Sequence, residues 1–216
     1  MYSVFYLFTN VINLNHMTTI KQWIITRAKL LIVLPILVFI PTGCNFNPYS
    51  TVNEDKSAGF NGSFEIVQEG LPVNWNIYKP TVDTAQVKFF FDTFQPPQGK
   101  QSLKIVVSKC SSEGGWRSPG IFQEMPAETG KTYQVSYWIK NQGCKYMIRM
   151  DCFKAGTEDI NHPKKWITYS DTIPDWQKFE YEFTFSNDLN QFRFELNILS
   201  PGTFWIDDIC IEKKLQ

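Results

Sequence analysis

The sequence predicts an all-β domain, an antiparallel β-sandwich or jelly roll, preceded by a targeting segment. Three features of the chain indicate this fold class. Aromatic residues make up 16% of the sequence, which favours strands over helices. Short apolar runs are separated by turn residues, as in SPG and ETGK. No run of ten or more residues has the 3.6-residue period of an amphipathic helix.

Short runs rich in aromatic and β-branched residues, most of them alternating, are predicted to be strands. They span residues 86–93, 102–110, 120–125, 132–140, 145–153, 178–185, 192–199 and 203–212. Strands at this spacing, separated by Gly and Pro rather than by helices, are typical of a sandwich or jelly roll.

Alternation with period 2 assigns each side chain of a strand to one face of its sheet. In four of the predicted strands one side is apolar and aromatic, and we assign that side to the core. If these strands are neighbours, their other sides form one polar surface. That surface would carry Trp138, Arg149, Asp151, Arg193, Glu195 and Asn197.

Residues 1–43 are predicted to be a secretory signal peptide. Residues 30–40 are apolar and uncharged, basic residues precede them, and small residues follow. The alternative, a transmembrane helix, is disfavoured because this run is too short to span ~30 Å of hydrocarbon at ~1.5 Å per residue. Met17 starts a more conventional signal sequence than Met1, so residues 1–16 are interpreted as a mis-assigned start.

The end of this segment, PTGC, resembles the lipobox of bacterial lipoproteins, in which the cysteine becomes the lipidated first residue. Thr42 and Gly43 match that pattern, whereas Pro41 stands where Leu is typical. The resemblance implies diacylation of Cys44, which suits stable membrane anchoring because more than one acyl chain is needed. The protein is then exported and lipid-anchored to a bacterial membrane, in the periplasm or at the cell surface. The alternative is an ordinary structural cysteine.

Residues 44–59 are polar and aperiodic, which predicts a flexible tether, and residues 60–216 then form one folded domain. Export permits disulfides, and four cysteines allow three pairings; their spacing does not choose between one bridge, two or none. These cysteines are Cys110, Cys144, Cys152 and Cys210. They contain no CxxC pair and His162 is the domain's one histidine, so neither zinc nor a His-based triad is expected.

Five segments, in order, resemble carbohydrate-binding modules of the family 4/9 type, which have the galactose-binding-like jelly roll. They are GFNGSFEIVQEGLPVNWN, GKQSLKI, GKTYQVSYWIK, DWQKFEYEFTF and FWIDDICIE, and the resemblance covers residues 60–213. It implies a carbohydrate ligand. In such modules aromatic rings stack on pyranose faces, and planar polar groups bind the sugar hydroxyls.

The ligand residues of that family vary too much to be carried over, so we place the sugar site from the residues themselves. Trp138 is the expected platform on the polar surface, and the charged and amide side chains beside it would bind hydroxyl groups. Trp116, in the loop SSEGGWRSPG, would be a second platform at the rim. The alternative is a solvated sheet face with cross-strand ion pairs.

Asp207 and Asp208 are adjacent in a closing strand that otherwise reads as buried, where unpaired charge is costly. The resemblance implies one structural calcium ion where this strand meets the first loop. It assigns Glu65 and Asp207 as ligands, with carbonyls near Gly62 and around residues 98–101. Asp208 has the opposite parity and is expected to face solvent or to cap a turn. The alternative is that both Asp side chains are solvated.

These features predict a surface-anchored, non-catalytic carbohydrate-binding lipoprotein that retains poly- or oligosaccharide near the cell, beside polysaccharide-degrading partners. With 21 basic and 21 acidic residues, the chain offers no electrostatic case for binding nucleic acid. One alternative is an adhesion or protein-interaction module that reuses the fold. Another is a glycoside hydrolase or lyase with Asp151 and Glu195 as paired carboxylates, although no catalytic motif supports it.

Overall fold

The computed structural model describes residues 49–50, 54–81, 84–156, 164–186 and 188–214. It confirms the all-β class: in these ranges the strands form two antiparallel sheets and a two-stranded ribbon. The predicted signal peptide, the lipidation site and most of the tether lie outside the described residues. Within the described ranges, no helix has the length and apolarity needed to cross a bilayer.

The first sheet has six strands, several of which contribute polar side chains to its outer face. They are β1 (Tyr49–Ser50), β4 (Asn76–Tyr78), β7 (Gly120–Pro126), β9 (Tyr146–Phe153), β10 (Lys164–Tyr169) and β12 (Gln191–Ile198). Their spatial order is β1–β4–β7–β12–β9–β10. β12 therefore pairs with β7 on one side and with β9 on the other.

The second sheet has five strands and contains the C-terminal strand at its centre. They are β5 (Gln86–Asp92), β6 (Ser102–Lys109), β8 (Thr132–Gln142), β11 (Ile173–Thr184) and β13 (Gly202–Lys213). Their spatial order is β11–β8–β13–β6–β5. The ribbon consists of β2 (Val67–Gln68) and β3 (Leu71–Pro72), and 3-10 turns occupy Lys56–Ala58 and Gly115–Arg117.

Aromatic rings from both sheets meet in the core. The ring centroids of Tyr137 on β8 and Phe194 on β12 are 5.6 Å apart. Those of Tyr146 on β9 and Phe204 on β13 are 4.7 Å apart. All four side chains are buried. Edge-on and tilted contacts of this kind add ~0.5–1.5 kcal/mol each to the stabilisation from area burial.

All of the predicted strands are present, with ends that differ by up to a few residues. The short strands β1 to β4 were not predicted, and neither was β10, although its run KWITY carries aromatic and β-branched residues that favour a strand. β11 begins at Ile173, five residues before the predicted start at residue 178. The four cysteines of the domain are free thiols in this structure.

The first loop of the domain is joined to the last strand by backbone contacts. The Ile209 N–H donates to the Gly62 carbonyl at 3.0 Å. A Cβ atom on Gly62 would lie 1.8 Å from the Ile209 carbonyl oxygen, so only glycine fits there. A bulge between Asp207 and Cys210 shapes β13 beside this contact, and Asp208 takes a positive φ of 48° within it.

We expect Gly62→Ala to lower the free energy of unfolding by about 2–3 kcal/mol, because the new methyl group meets backbone that cannot rotate away. Urea denaturation followed by tryptophan fluorescence measures the change. Ser63→Ala, one residue along the same loop, is the matched control and should have little effect. Equal stability of Gly62→Ala and the unmodified protein would show that the loop and the closing strand are not tightly joined.

Candidate functional site

A cluster of charged side chains lies on the outer face of the first sheet. In the pairing of β12 with β9, Glu195 is opposite Arg149 and Arg193 is opposite Asp151. The core-facing neighbours on β12 alternate with these residues, as the period-2 pattern predicts. The structure therefore brings four of the predicted site residues onto one face.

Glu195 holds both arginines of the cluster. Its Oε2 lies 2.9 Å from Nη2 of Arg149 and 3.0 Å from Nε of Arg193. The Glu195 side chain is 0% exposed, and its Oε1 has no hydrogen-bond partner among the described residues. Arg149 Nε also lies 2.9 Å from Oδ2 of Asp151, as an ion pair without the alignment of a hydrogen bond. The buried Glu195 carboxylate therefore fixes the orientation of both guanidinium groups.

Arg193 is fixed on its other sides as well. Its Nη1 donates to Glu124 Oε1 at 2.9 Å, and its Nη2 donates to the Tyr78 hydroxyl. Its guanidinium carbon lies 4.0 Å from the centroid of the Phe122 ring, a cation–π contact. A guanidinium held at so many points has little rotamer freedom left to lose when a ligand binds.

The cluster has no excess of positive charge. Two arginines face three carboxylates, those of Asp151, Glu195 and Glu124, so the formal sum is 2 − 3 = −1. An acidic ligand would add like charge to this face. The arrangement favours an uncharged ligand with hydroxyl groups, which can accept from guanidinium N–H groups and donate to carboxylates.

Trp166 is an exposed ring on this face that the sequence analysis did not identify. It lies on β10 directly opposite Arg149, and it is 61% exposed. Neighbouring strands are ~4.8 Å apart, so Trp166 stands roughly 10 Å across the sheet from Glu195. Had the KWITY run been predicted as a strand, its side-chain period of two would have assigned the Trp166 ring to one of the two faces of the sheet.

Trp116 lies at the end of the same face, on a turn held by Asn197. The Asn197 side chain accepts from the Gly115 N–H at 2.9 Å and donates to the Gly115 carbonyl at 3.1 Å. Asn197 is buried, whereas Trp116 is 46% exposed and lines a cavity of about 230 Å³. Asn197 therefore positions the turn, which is a different role from the predicted direct contact with ligand.

The expectation that Trp138 shares the polar face is wrong. Trp138 lies on β8, which belongs to the second sheet, and its register partners are Lys178 and Asp207. The side-chain period placed Trp138 away from the core, but it contained no information about which sheet β8 joins. The first sheet instead carries the exposed ring of Trp166, opposite Arg149, and the exposed ring of Trp116 lies on the turn held by Asn197.

The two carboxylates predicted to bind metal converge on one loop. Glu65 Oε1 accepts from the backbone N–H groups of Lys100 at 2.8 Å and Gln101 at 3.1 Å. Asp207 Oδ2 accepts from the Gln98 N–H at 3.2 Å. The first loop, the segment around residue 100 and the closing strand therefore meet at this point.

Asp207 is the more buried of the two, at 0% exposure. Burial, with smaller contributions from the charges of Asp208 and Glu65, raises the pKa of Asp207 to about 7. None of the ion pairs in the described ranges involves Asp207 or Glu65. Among the described residues, no three or more His, Cys, Asp or Glu side chains are arranged so that they could hold a metal ion, so a cation here would need backbone carbonyls as well. Asp208 is partly exposed.

Comparisons with known proteins find structural likeness only. No protein-family model matches the chain, and no curated protein matches its sequence. A family 4 carbohydrate-binding module has a TM-score of 0.51 and 18% identity, over 71% of this chain and 98% of that one. The enzymatically active domain of bacteriophage CBA120 tailspike protein 4 has a TM-score of 0.55 and 13% identity. That match spans 71% of this chain and only 21% of the tailspike chain.

A xylan-binding CBM22-1 domain from Paenibacillus barcinonensis Xyn10C is also similar, with a TM-score of 0.45 and 16% identity over 70% of this chain and 91% of that one. The likeness to the family 4 module, together with the sheet topology, shows that the described domain has a β-sandwich fold of the kind found in that module. At these identities the likeness concerns the fold, and the ligand must be argued from the side chains on the face.

Glu195→Gln removes the charge that both arginines share and keeps the side-chain shape. We expect it to lower the free energy of unfolding by about 2–4 kcal/mol, since breaking a buried ion pair is costly. Each arginine keeps a second carboxylate as a partner. The loss of unfolding free energy is therefore smaller than that caused by leaving a buried charge without any partner. Urea denaturation measures it.

The matched control is Glu124→Gln, which removes a half-exposed partner of Arg193. An exposed ion pair contributes ~0–1 kcal/mol, so this variant should remain close to the unmodified protein. If the two variants lost equal stability, Glu195 would not be the residue that organises the cluster.

Proposed function

We propose that this protein is an exported, non-catalytic carbohydrate-binding lipoprotein, anchored through a lipid on Cys44, that retains a neutral poly- or oligosaccharide near the cell. The observation that supports it best is the pair of fixed guanidinium groups next to the exposed Trp166 ring. The fold supports it too, because a family 4 carbohydrate-binding module has a similar sandwich.

Recognition on this face would combine stacking and hydrogen bonds. Trp166 at the β10 edge and Trp116 at the end of the face would each stack on a pyranose ring. Arg149 and Arg193 would donate to ring and hydroxyl oxygens between them. A few contacts of ~0.5–1.5 kcal/mol each give micromolar to millimolar affinity.

The carboxylate geometry gives little support to a glycosidase. Asp151 is 4% exposed and Glu195 is 0% exposed, and Arg149 bridges the two. A catalytic carboxylate has to reach the glycosidic bond or a water beside it, and these two are covered by the surrounding side chains. An adhesion or protein-interaction module remains the alternative from another class, and the same binding experiment distinguishes it.

We further propose a structural calcium ion at the meeting point of Glu65 and Asp207. Two observations support this: both carboxylates contact the segment of residues 98–101, and Gly62 in the first loop bonds to Ile209 of the closing strand. Calcium takes roughly six to eight oxygen ligands, so backbone carbonyls of these segments would have to complete its shell. The ion would neutralise the buried Asp207 charge and join the first loop to the closing strand. It would stabilise the domain without taking part in ligand binding.

Binding to soluble xylan, mixed-linkage β-glucan and mannan, measured by calorimetry with product release followed in parallel, tests the proposed function. We expect binding to at least one polymer without release of reducing ends. Trp166→Ala should weaken that binding about three- to tenfold, because a stacking platform is lost, with little change in stability at so exposed a position.

Trp138→Ala is the matched control, since this ring lies in the other sheet, and it should bind like the unmodified protein. Loss of binding in Trp138→Ala alone would place the site on the second sheet. Release of reducing ends would make the protein an enzyme. No binding to any neutral polymer, together with capture of a protein partner, would favour adhesion.

Calcium should raise the melting temperature and EGTA should lower it. A ligand at 100 times its Kd adds about 2.7 kcal/mol to the free energy of unfolding. Asp207→Ala should abolish the difference between the two conditions, whereas Asp208→Ala, its partly exposed neighbour, should keep it. Identical melting curves with calcium and with EGTA would show that the domain has no structural calcium ion.

A further inference from the structure

A cleft separate from the charged face opens at the edge of the sandwich, where the chain passes from β10 in the first sheet to β11 in the second. It encloses about 290 Å³. Three aromatic rings and three polar side chains provide most of its lining. These are Tyr146, Tyr169 and Phe179, and Asp171, Thr172 and Gln177.

The cleft is a built feature of the backbone. The pairing of β11 with β8 shifts register between Ile173 and Gln177, which marks an irregularity of the strand at the cleft. The buried side chain of Asn141 holds the corner by donating to the carbonyls of Asp171 at 2.8 Å and Cys144 at 2.9 Å. The mouth of the cleft therefore has a defined shape.

A polar atom of the lining lacks a partner. The Tyr146 side chain is 1% exposed, and its hydroxyl has no hydrogen-bond partner among the described residues. Burial, then the nearby Tyr169, Tyr181 and Asp171, raise the pKa of Tyr146, so the hydroxyl stays protonated at neutral pH. An unpaired buried hydroxyl is energetically unfavourable, and a ligand that hydrogen-bonds to it recovers part of that energy.

We propose that this cleft binds a single neutral pyranose unit, the terminal residue of a glycan, as a second site beside the sheet face. The Tyr146 hydroxyl can both donate and accept, and a sugar hydroxyl is its complement in both respects. Tyr169 and Phe179, with ring centroids 6.4 Å apart, offer apolar surface to the ring of the sugar. Asp171, Thr172 and Gln177 supply further hydrogen-bonding groups in the lining.

The size of the cleft suits a single sugar ring, which we take to be the end of a glycan. Pockets for drug-sized ligands span ~300–1,000 Å³, and this cleft of about 290 Å³ is at the lower limit. The inference rests on the proposed carbohydrate function, but it concerns different residues from those of the charged face. One site would contact a polymer along its length, and the other would contact its terminus.

The test uses the purified protein, labelled with ¹⁵N, and D-glucose, D-galactose, D-mannose and D-xylose as probes. At least one sugar should shift the backbone amides of residues 169–173 and 177. Tyr146→Phe should weaken the binding of that sugar at least fivefold without lowering the melting temperature, because it removes only the unpaired hydroxyl. Asp171→Asn, at the exposed mouth, is a second variant that should also weaken it.

Tyr78→Phe is the matched control, since the Tyr78 hydroxyl bonds to Arg193 on the charged face. It should leave the sugar-induced shifts of the cleft amides unchanged. If no monosaccharide shifts the cleft amides while a neutral polymer still shifts those of the charged face, the cleft proposal is overturned and the proposed function stands. If no glycan shifts either set, both are overturned. If tetramethylammonium shifted the cleft amides more strongly than every sugar, the cleft would be an aromatic cage for a cation, and the cleft proposal would be overturned.

Discussion

The central position of β12 in the first sheet links the core of the protein to its outer face. β7 and β9 flank this strand, so its side chains have neighbours on both sides. Phe192, Phe194 and Leu196 point inward and are fully buried. Arg193 and Glu195 alternate with them and point outward. Because side chains alternate with a period of two, a shift of β12 by one residue would exchange its inward and outward side chains. Packing of the core therefore determines where the guanidinium groups lie.

Local patterns were sufficient to predict the class of fold and most of the strands. Alternation in the runs around residues 145–153 and 192–199 separated the core residues from the polar ones. Since those two strands are direct neighbours, the polar residues of both did come together. The contact of Glu65 and Asp207 with one loop also agrees with the family resemblance, which supplied information on long-range contacts that composition and period lack.

The composition of the polar face could not be predicted in full, because it depends on which strands pair. The period of the side chains along one strand does not encode that pairing. Trp138 and Trp166 both alternate out of the core, yet β8 and β10 belong to different sheets. Asn197 shows a second limit. Its amide reads as a ligand group, but a turn more than 80 residues earlier in the chain covers it and uses both of its polar atoms. The distinction between an exposed amide and an anchoring one appears only in three dimensions.

The two hydrogen bonds between Asn197 and Gly115 have a thermodynamic consequence for the Trp116 turn. A free loop loses conformational entropy when it closes on a ligand, at ~0.5–1.5 kcal/mol for each side chain immobilised. Here the backbone of the turn is already ordered before anything binds. If a sugar stacks on Trp116, as proposed, binding has to restrict one indole ring but does not have to order the backbone of the turn, so the rim is pre-organised.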